Sequence, residues 1–346
     1  MNLTRFVIRR LLLMILVLFG VSLIVFYLSR GYPTKFPPWG EYVTLQMSQS
    51  EIAYIKQIHG FNLPLYEQYF YWLRDIAVGN WGVSHWAGDQ NTLSVFASRF
   101  PLTVELAVAS IIITIAVGLP LGIFSAVKNN KLPDYASRIL ALSGYSTPIF
   151  WLGFLFQLLF SYYFVLWGLP GLPSSGYTSP SYVGTVPVIT GIPMLDALLE
   201  GNPGYFGSSF IYLILPAITL SFASLGYITR IVRSSMLEVL RQDYITTARS
   251  KGLTERVVIY RHALKNALIP VVTVAGVLFA SLLGGVVVVE YVFSWPGVGQ
   301  AALRATFAND TNFLMLYTIV SAAVIVVANL CVDVLYGVID PRIRIQ

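Results

Sequence analysis

The chain has three histidines, His59, His85 and His262, and a single cysteine, Cys331. No histidine lies in a His-Glu-x-x-His pattern, the spacing that puts two zinc ligands on one helix face, and no Gly-x-Ser-x-Gly elbow would expose a nucleophilic serine. A loop that cradles nucleotide phosphates needs Gly-Lys-Ser/Thr, and no Gly-Lys pair occurs in the sequence. The lone cysteine cannot close an internal disulfide. Ion-coupled carriers need paired ionisable groups inside apolar segments. The candidates here are few: Glu105 at the edge of an apolar run, and Asn329 and Asp333, which share a helix face at a spacing of four. What is concentrated is positive charge. Arg230, Arg233, Arg241, Arg249, Lys251, Arg256, Arg261 and Lys265 all fall within residues 230–265. Cations this dense would hold the segment against a membrane surface, and they supply no set for making or breaking bonds.

The elements that carry it follow from composition. Of 346 residues 56% are hydrophobic and 11% charged, with mean hydropathy +0.70 and net charge +6. Soluble domains carry roughly 25% charged residues. A disordered chain, an ordinary soluble enzyme and a nucleic-acid-binding domain are therefore excluded, and 22 Lys/Arg spread this thinly form no nucleic-acid footprint. Charge-free apolar runs cover residues 11–29, 106–127, 139–167, 205–229, 266–289 and 311–332. Each reaches or approaches the roughly 20 residues that span hydrocarbon. The expected fold is an all-α polytopic protein with six transmembrane helices in a lipid bilayer. Pro120, Pro148, Pro216 and Pro270 fall in or near these runs and predict kinks.

Lys/Arg bias sets orientation. With the N-terminus inside, the inner segments hold Arg5, Arg9, Arg10, Lys128, Lys131, Arg138, the eight cations of 230–265, Arg342 and Arg344; the outer ones hold Arg30, Lys35, Lys56, Arg74, Arg99 and Arg304. This predicts a multi-pass protein of the cell membrane with both termini cytoplasmic. The first run follows a basic front but is too long for a cleaved signal, and reads as an anchor that stays. The domain reading is an N-terminal transmembrane helix (1–29), an extracytoplasmic helical subdomain (30–100) and a five-helix core (101–346) containing the loop 230–265.

Within the first outer loop, residues 48–59 and 65–78 place apolar residues at helical spacing. Two further short outer helices are expected at 194–200 and 300–307, the second amphipathic and at the membrane surface. In the inner loop Asp243 is positioned to cap a helix over 244–251, Gly252 suits a left-handed position after it, and Thr254 is positioned to cap the next. Two short helices joined at a glycine make a protruding knob; a lipid-facing amphipathic loop would carry the same cations.

Asp243-Tyr-Ile-Thr-Thr-Ala-Arg-Ser-Lys-Gly-Leu-Thr-Glu-Arg256, followed by Arg261-His-Ala-Leu-Lys-Asn-Ala-Leu-Ile-Pro270, resembles the coupling motif of ABC importer permeases, most of all those of dipeptide and oligopeptide importers. Arg99-Phe-Pro-Leu-Thr-Val-Glu-Leu106, Leu215-Pro-Ala-Ile-Thr219, residues 190–198 and 290–299, and Val332-Asp-Val-Leu-Tyr-Gly-Val-Ile-Asp-Pro-Arg-Ile-Arg344 also match, in order; residues 29–56 do not. The general permease motif, Glu-Ala-Ala, three residues, then Gly, here has Thr246, Thr247, Ala248 and Gly252, so contacts of the acidic residue do not carry over to Thr246.

The resemblance implies a type I ABC importer permease without enzymatic activity of its own. Its partners would be two ATP-binding subunits that hold ATP and Mg, a second homologous permease subunit and an extracytoplasmic solute-binding protein. Tyr244, Thr247, Ala248, Arg249, Lys251, Gly252 and Leu253 would form the coupling helix seated on the ATPase subunit. Small Ala248 would permit close approach, and Arg249 and Lys251 would meet acidic rims there. Ser143, Tyr145, Thr147 and Gln157 are the candidates for the translocation pathway, and no metal site is expected. Oligopeptide is the expected cargo, oligosaccharide the alternative; an ion-coupled secondary transporter is the alternative of another class.

Overall fold

A backbone crossing hydrocarbon must satisfy its own N–H and C=O groups, and this chain does so with helices. The computed structural model describes residues 3–30, 47–58 and 60–339. The order begins with α1 (Leu3–Arg30), α2 (Gln49–Ile58), α3 (Leu65–Ala77), a hairpin of β1 (Val83–Ser84) with β2 (Gln90–Asn91), and α4 (Thr92–Val127). Next come α5 (Leu132–Ser146), α6 (Ile149–Phe156), α7 (Phe164–Leu166), α8 (Pro193–Leu199) and α9 (Pro203–Leu240). The chain continues through α10 (Asp243–Ser250), α11 (Glu255–Val257), α12 (Leu264–Gly285), α13 (Val287–Val292), α14 (Val298–Phe307) and α15 (Thr311–Ile339). Wider π-helical turns join α6 to α7 and α11 to α12.

Among the described residues six helical segments are long and apolar enough to cross a membrane: Ile8–Arg30, Thr92–Val127, Ile149–Leu166, Pro203–Leu240, Glu255–Leu282 and Thr311–Cys331. The expected number is met, with one boundary corrected. The apolar run 139–167 is not one helix. Thr147 is extended (φ −87°, ψ 126°), because the residue before a proline is pushed out of the helical region, and Pro148 opens α6. Pro120, Pro216 and Pro270 stay inside continuous helices.

The centre of the bundle is α4 against α9. The apolar window of α9 is 61% buried inside the protein, that of α1 only 11%, so α9 is central and α1 peripheral. Both central helices are capped by asparagine: Asn91 accepts from the Ser94 N–H at 3.2 Å and Asn202 from the Tyr205 N–H at 3.0 Å. α5 lies close against α9. A Cβ at Gly226 would collide with the Ala141 carbonyl, so glycine is what lets these two backbones approach.

At the end of the bundle where α4 gives way to α5, Asp134 ties α4, α5 and α9 together. Its carboxylate is fully buried and accepts from Arg233 Nε at 2.7 Å, Arg138 at 2.6 Å, Ser125 Oγ at 2.6 Å and the Asn130 N–H at 2.9 Å. The Arg233 guanidinium beside it is the main cause holding that carboxyl well below the usual range.

Toward the other end of α4, Glu290 is fully buried and accepts from Thr103 Oγ1 at 2.6 Å and the Gln300 N–H at 2.8 Å. The Trp295 indole N–H donates to the Leu102 carbonyl at 2.9 Å. These bonds clamp the turn after α13 onto α4. As a result α14, expected as an amphipathic surface helix, is packed into the fold with Val298, Gln300, Ala301, Ala302 and Ala305 buried. Thr103→Val keeps the shape but removes the donor to Glu290 and the acceptor for the Val298 N–H at 2.9 Å. A lost buried hydrogen bond costs about 1–2 kcal/mol, so the detergent-purified variant should melt a few degrees lower in a thermal unfolding scan.

The expected subdomain docks on α1 through Tyr69, whose hydroxyl lies 2.8 Å from Ser22 Oγ and whose ring packs on Phe26. Its expected helices are α2 and α3, although α4 already begins at Thr92, inside the 30–100 segment. Residues 31–46 and His59 lie outside the described residues.

Candidate functional site

The cationic loop of residues 230–265 folds as a knob. α9 ends at Leu240, and extended Gln242 (φ −76°, ψ 148°) starts α10 with no side-chain cap. Asp243, expected to cap, is instead the first helical residue, where its carboxylate faces the positive helix end. Thr254 does stand at the start of α11, but its side chain makes no capping bond. Gly252 has φ +77°, and nothing lies within 4 Å of where a Cβ would be. The turn therefore needs glycine for its backbone and not for space.

The knob has an inner and an outer face. Ile245 is fully buried and Ala248 nearly so, in one cluster with Met236, Val258, Ala263 and Ala267. Burying an isoleucine stabilises by roughly 1.5–3 kcal/mol, which anchors the helix on its own protein rather than in lipid. Ala248, expected to face a partner, packs within this chain, where its small side chain lets α10 sit close on the π turn beneath it. Arg249 does not point to a free rim either. Its Nε donates to Glu255 Oε1 at 2.7 Å, closing the turn over Gly252. An exposed pair of this kind contributes under about 1 kcal/mol. Tyr244 is tethered as well, its hydroxyl accepting from Asn266 Nδ2 at 2.7 Å. The outward surface is Tyr244, Thr247, Lys251, Gly252 and Leu253, with the Arg249–Glu255 pair at its side. Leu253 is an apolar side chain 39% exposed at the tip of a charged loop, a surface that another protein could cover.

Sequence reasoning missed Ile245, Glu255 and Asn266. The first had a signal, since Ile245 and Ala248 are three apart on one helix face. The other two act across the turn, which spacing does not show.

The pathway candidates are not brought together. Ser143 is exposed on α5; Thr147, half-buried, donates its hydroxyl to the Ser143 carbonyl at 2.7 Å. The side chain of Tyr145 lies outside the described residues. The Gln157 amide donates to the Ser174 carbonyl at 2.7 Å and the Val292 carbonyl at 3.0 Å, so it braces two segments against the π turn that follows α6. Among the possible ion-coupling groups, Glu105 is buried within α4 and accepts from the Met194 N–H at 3.1 Å. Asn329 is exposed, and the Asp333 side chain lies outside the described residues. Among the described residues no three His, Cys, Asp or Glu are grouped to hold a metal ion.

Residues 118–345 match the family described as the inner membrane component of binding-protein-dependent transport systems, and residues 3–107 match the N-terminal region of the membrane component of such systems. The chain is 38% identical to the di/tripeptide transport system permease protein of Pseudomonas aeruginosa, over 99% of each chain. It is 37% identical to the dipeptide transport system permease protein of Escherichia coli over 98% of each. It is 33% identical to the oligopeptide transport system permease protein of Bacillus subtilis, over 98% of this chain and 99% of that one.

Proposed function

This chain belongs to the family of inner-membrane components of binding-protein-dependent transport systems, and from that premise we propose how its loop and helices are used. It is a multi-pass transmembrane permease subunit of an ABC importer that moves peptides. The knob around Gly252 is the coupling element, seated in a cleft of a separate ATP-hydrolysing subunit through Tyr244, Thr247, Lys251 and Leu253, with Arg249 at the edge. Two such subunits hold ATP and Mg. A second homologous permease completes the pathway, and a solute-binding protein delivers cargo from outside. Closure of the ATPases around nucleotide pulls on the knobs, and the helices rock between outward-open and inward-open arrangements.

The observation that carries this reading is the construction of the knob: a helix anchored inward by Ile245 and Ala248, turned by a left-handed glycine, with an apolar leucine presented at its tip. Because α10 stands on the π turn and α12, a push on it is passed to a helix that crosses the membrane. Ser143 and Thr147, in the turn just before the break at Pro148, remain the pathway candidates.

Calorimetry of the cognate solute-binding protein against peptide and sugar panels tests the cargo: heat with short peptides and none with oligosaccharides is expected, and the reverse overturns it. Both termini and the knob are proposed to be cytoplasmic, on the Lys/Arg bias. Ser250→Cys, exposed on α10, should be labelled by an impermeant thiol reagent in inside-out vesicles and not in intact cells, once Cys331 has been replaced by serine. Labelling from outside overturns the orientation.

A further inference from the structure

Between α5 and α9, beside Asp134, lies a cavity of about 310 Å³. The two helices run antiparallel there. Asp134, Ala141 and Gly144 of α5 meet Arg233, Gly226 and Phe222 of α9 in that order. The cavity is therefore sorted along the membrane normal. Arg138, Arg230 and Arg233 line its inner end, and Ala141, Leu142 and Tyr227 line the deeper part. The charge-free stretch of α9 ends at Arg230, so the cations stand where hydrocarbon gives way to headgroups. The charges are unequal. Among the described residues the carboxylate bonded to this set is Asp134, which serves both Arg138 and Arg233; the Arg230 guanidinium lies over the Tyr227 ring at 5.3 Å. Three cations thus meet one anion at the edge of a low-dielectric region, and a second anion would be strongly favoured there.

We propose that this cavity is a binding site for an anionic phospholipid, with the phosphate on the arginines and an acyl chain along Leu142, Ala141 and Tyr227. Planar guanidinium groups present paired N–H donors that match phosphate oxygens. Basic pockets between membrane helices on the cytoplasmic side suit such headgroups. The apolar half argues for a lipid over inorganic phosphate, which has no use for it. The site is separate from the knob and does not depend on the cargo.

Native mass spectrometry of the assembled importer in detergent tests it, with phosphatidylglycerol, phosphatidylcholine and inorganic phosphate as probes. Phosphatidylglycerol should be retained roughly tenfold more than phosphatidylcholine. Arg230→Gln, which leaves every bond to Asp134 in place, should remove most of that preference; Leu142→Trp, which fills the apolar half, should lower retention with all three arginines present. Equal retention of the two lipids in the unaltered importer overturns the proposal, whatever the variants do. So does retention unchanged in both variants, displacement of the lipid by millimolar inorganic phosphate or by a transported peptide, or binding to the isolated chain that disappears when the second permease joins.

Discussion

Gly252→Val is expected to insert normally and to lose ATP-driven peptide uptake by at least roughly tenfold, because a β-branched side chain resists positive φ. The native φ of +77° costs glycine nothing, whereas a left-handed residue with a Cβ costs roughly 1–2 kcal/mol and a branched one more. Since no atom lies within 4 Å of the missing Cβ, the effect is conformational and local. Relieving it means opening the turn that Arg249 and Glu255 close, which moves Leu253 and Lys251 away from the α10 surface. Asparagine tolerates the left-handed region better, so Gly252→Asn should retain more uptake than valine. Vesicle uptake of a labelled dipeptide, normalised to the amount of assembled importer, measures both. Valine at full activity would remove the knob from the mechanism.

Asp134→Ala should be the most damaging substitution at its end of the bundle. Removing this carboxylate leaves Arg233, 21% exposed, without its main partner, and frees Ser125 and the Asn130 N–H as well. Breaking one side of a buried ion pair costs about 3–5 kcal/mol, and the part-exposed arginines place the expectation near 3. Thermal unfolding of the purified variant should show a drop larger than that of Thr103→Val. The pH dependence has a definite sign. The folded carboxyl is held below its unfolded value of about 3.9. Its stabilisation is therefore complete above that value and lost only as pH falls below it toward the folded pKa. Between pH 5 and 8 the deficit of the alanine variant should stay constant; a deficit that vanishes anywhere in that range would contradict the role given to Asp134.

The six crossings were legible because a charge in hydrocarbon is costly enough to leave clean apolar runs. The break at Thr147 was not read from the run around it, although Pro148 carried the physical reason for it. Ala248 shows the limit of motif reasoning: its position was legible, but whether a small residue faces inward or outward depends on which neighbours fold beneath it, here Met236, Val258 and Ala263. Gln157 shows the same for polar residues, since the carbonyls it braces lie 17 and 135 residues away in sequence. In the Asp134 cluster the pair with Arg138 follows the i,i+4 spacing, but the bond to Arg233 spans 99 residues and leaves no local pattern. Gly252 was legible because glycine's freedom at positive φ is a property of the residue itself.

Uptake of labelled peptide into liposomes that carry the purified chain, its permease partner and the solute-binding protein, with and without the ATP-binding subunits, bears most directly on what this chain does. Accumulation is expected only with both ATP-binding subunits and ATP present. Accumulation driven by an ion gradient alone, in their absence, would contradict it.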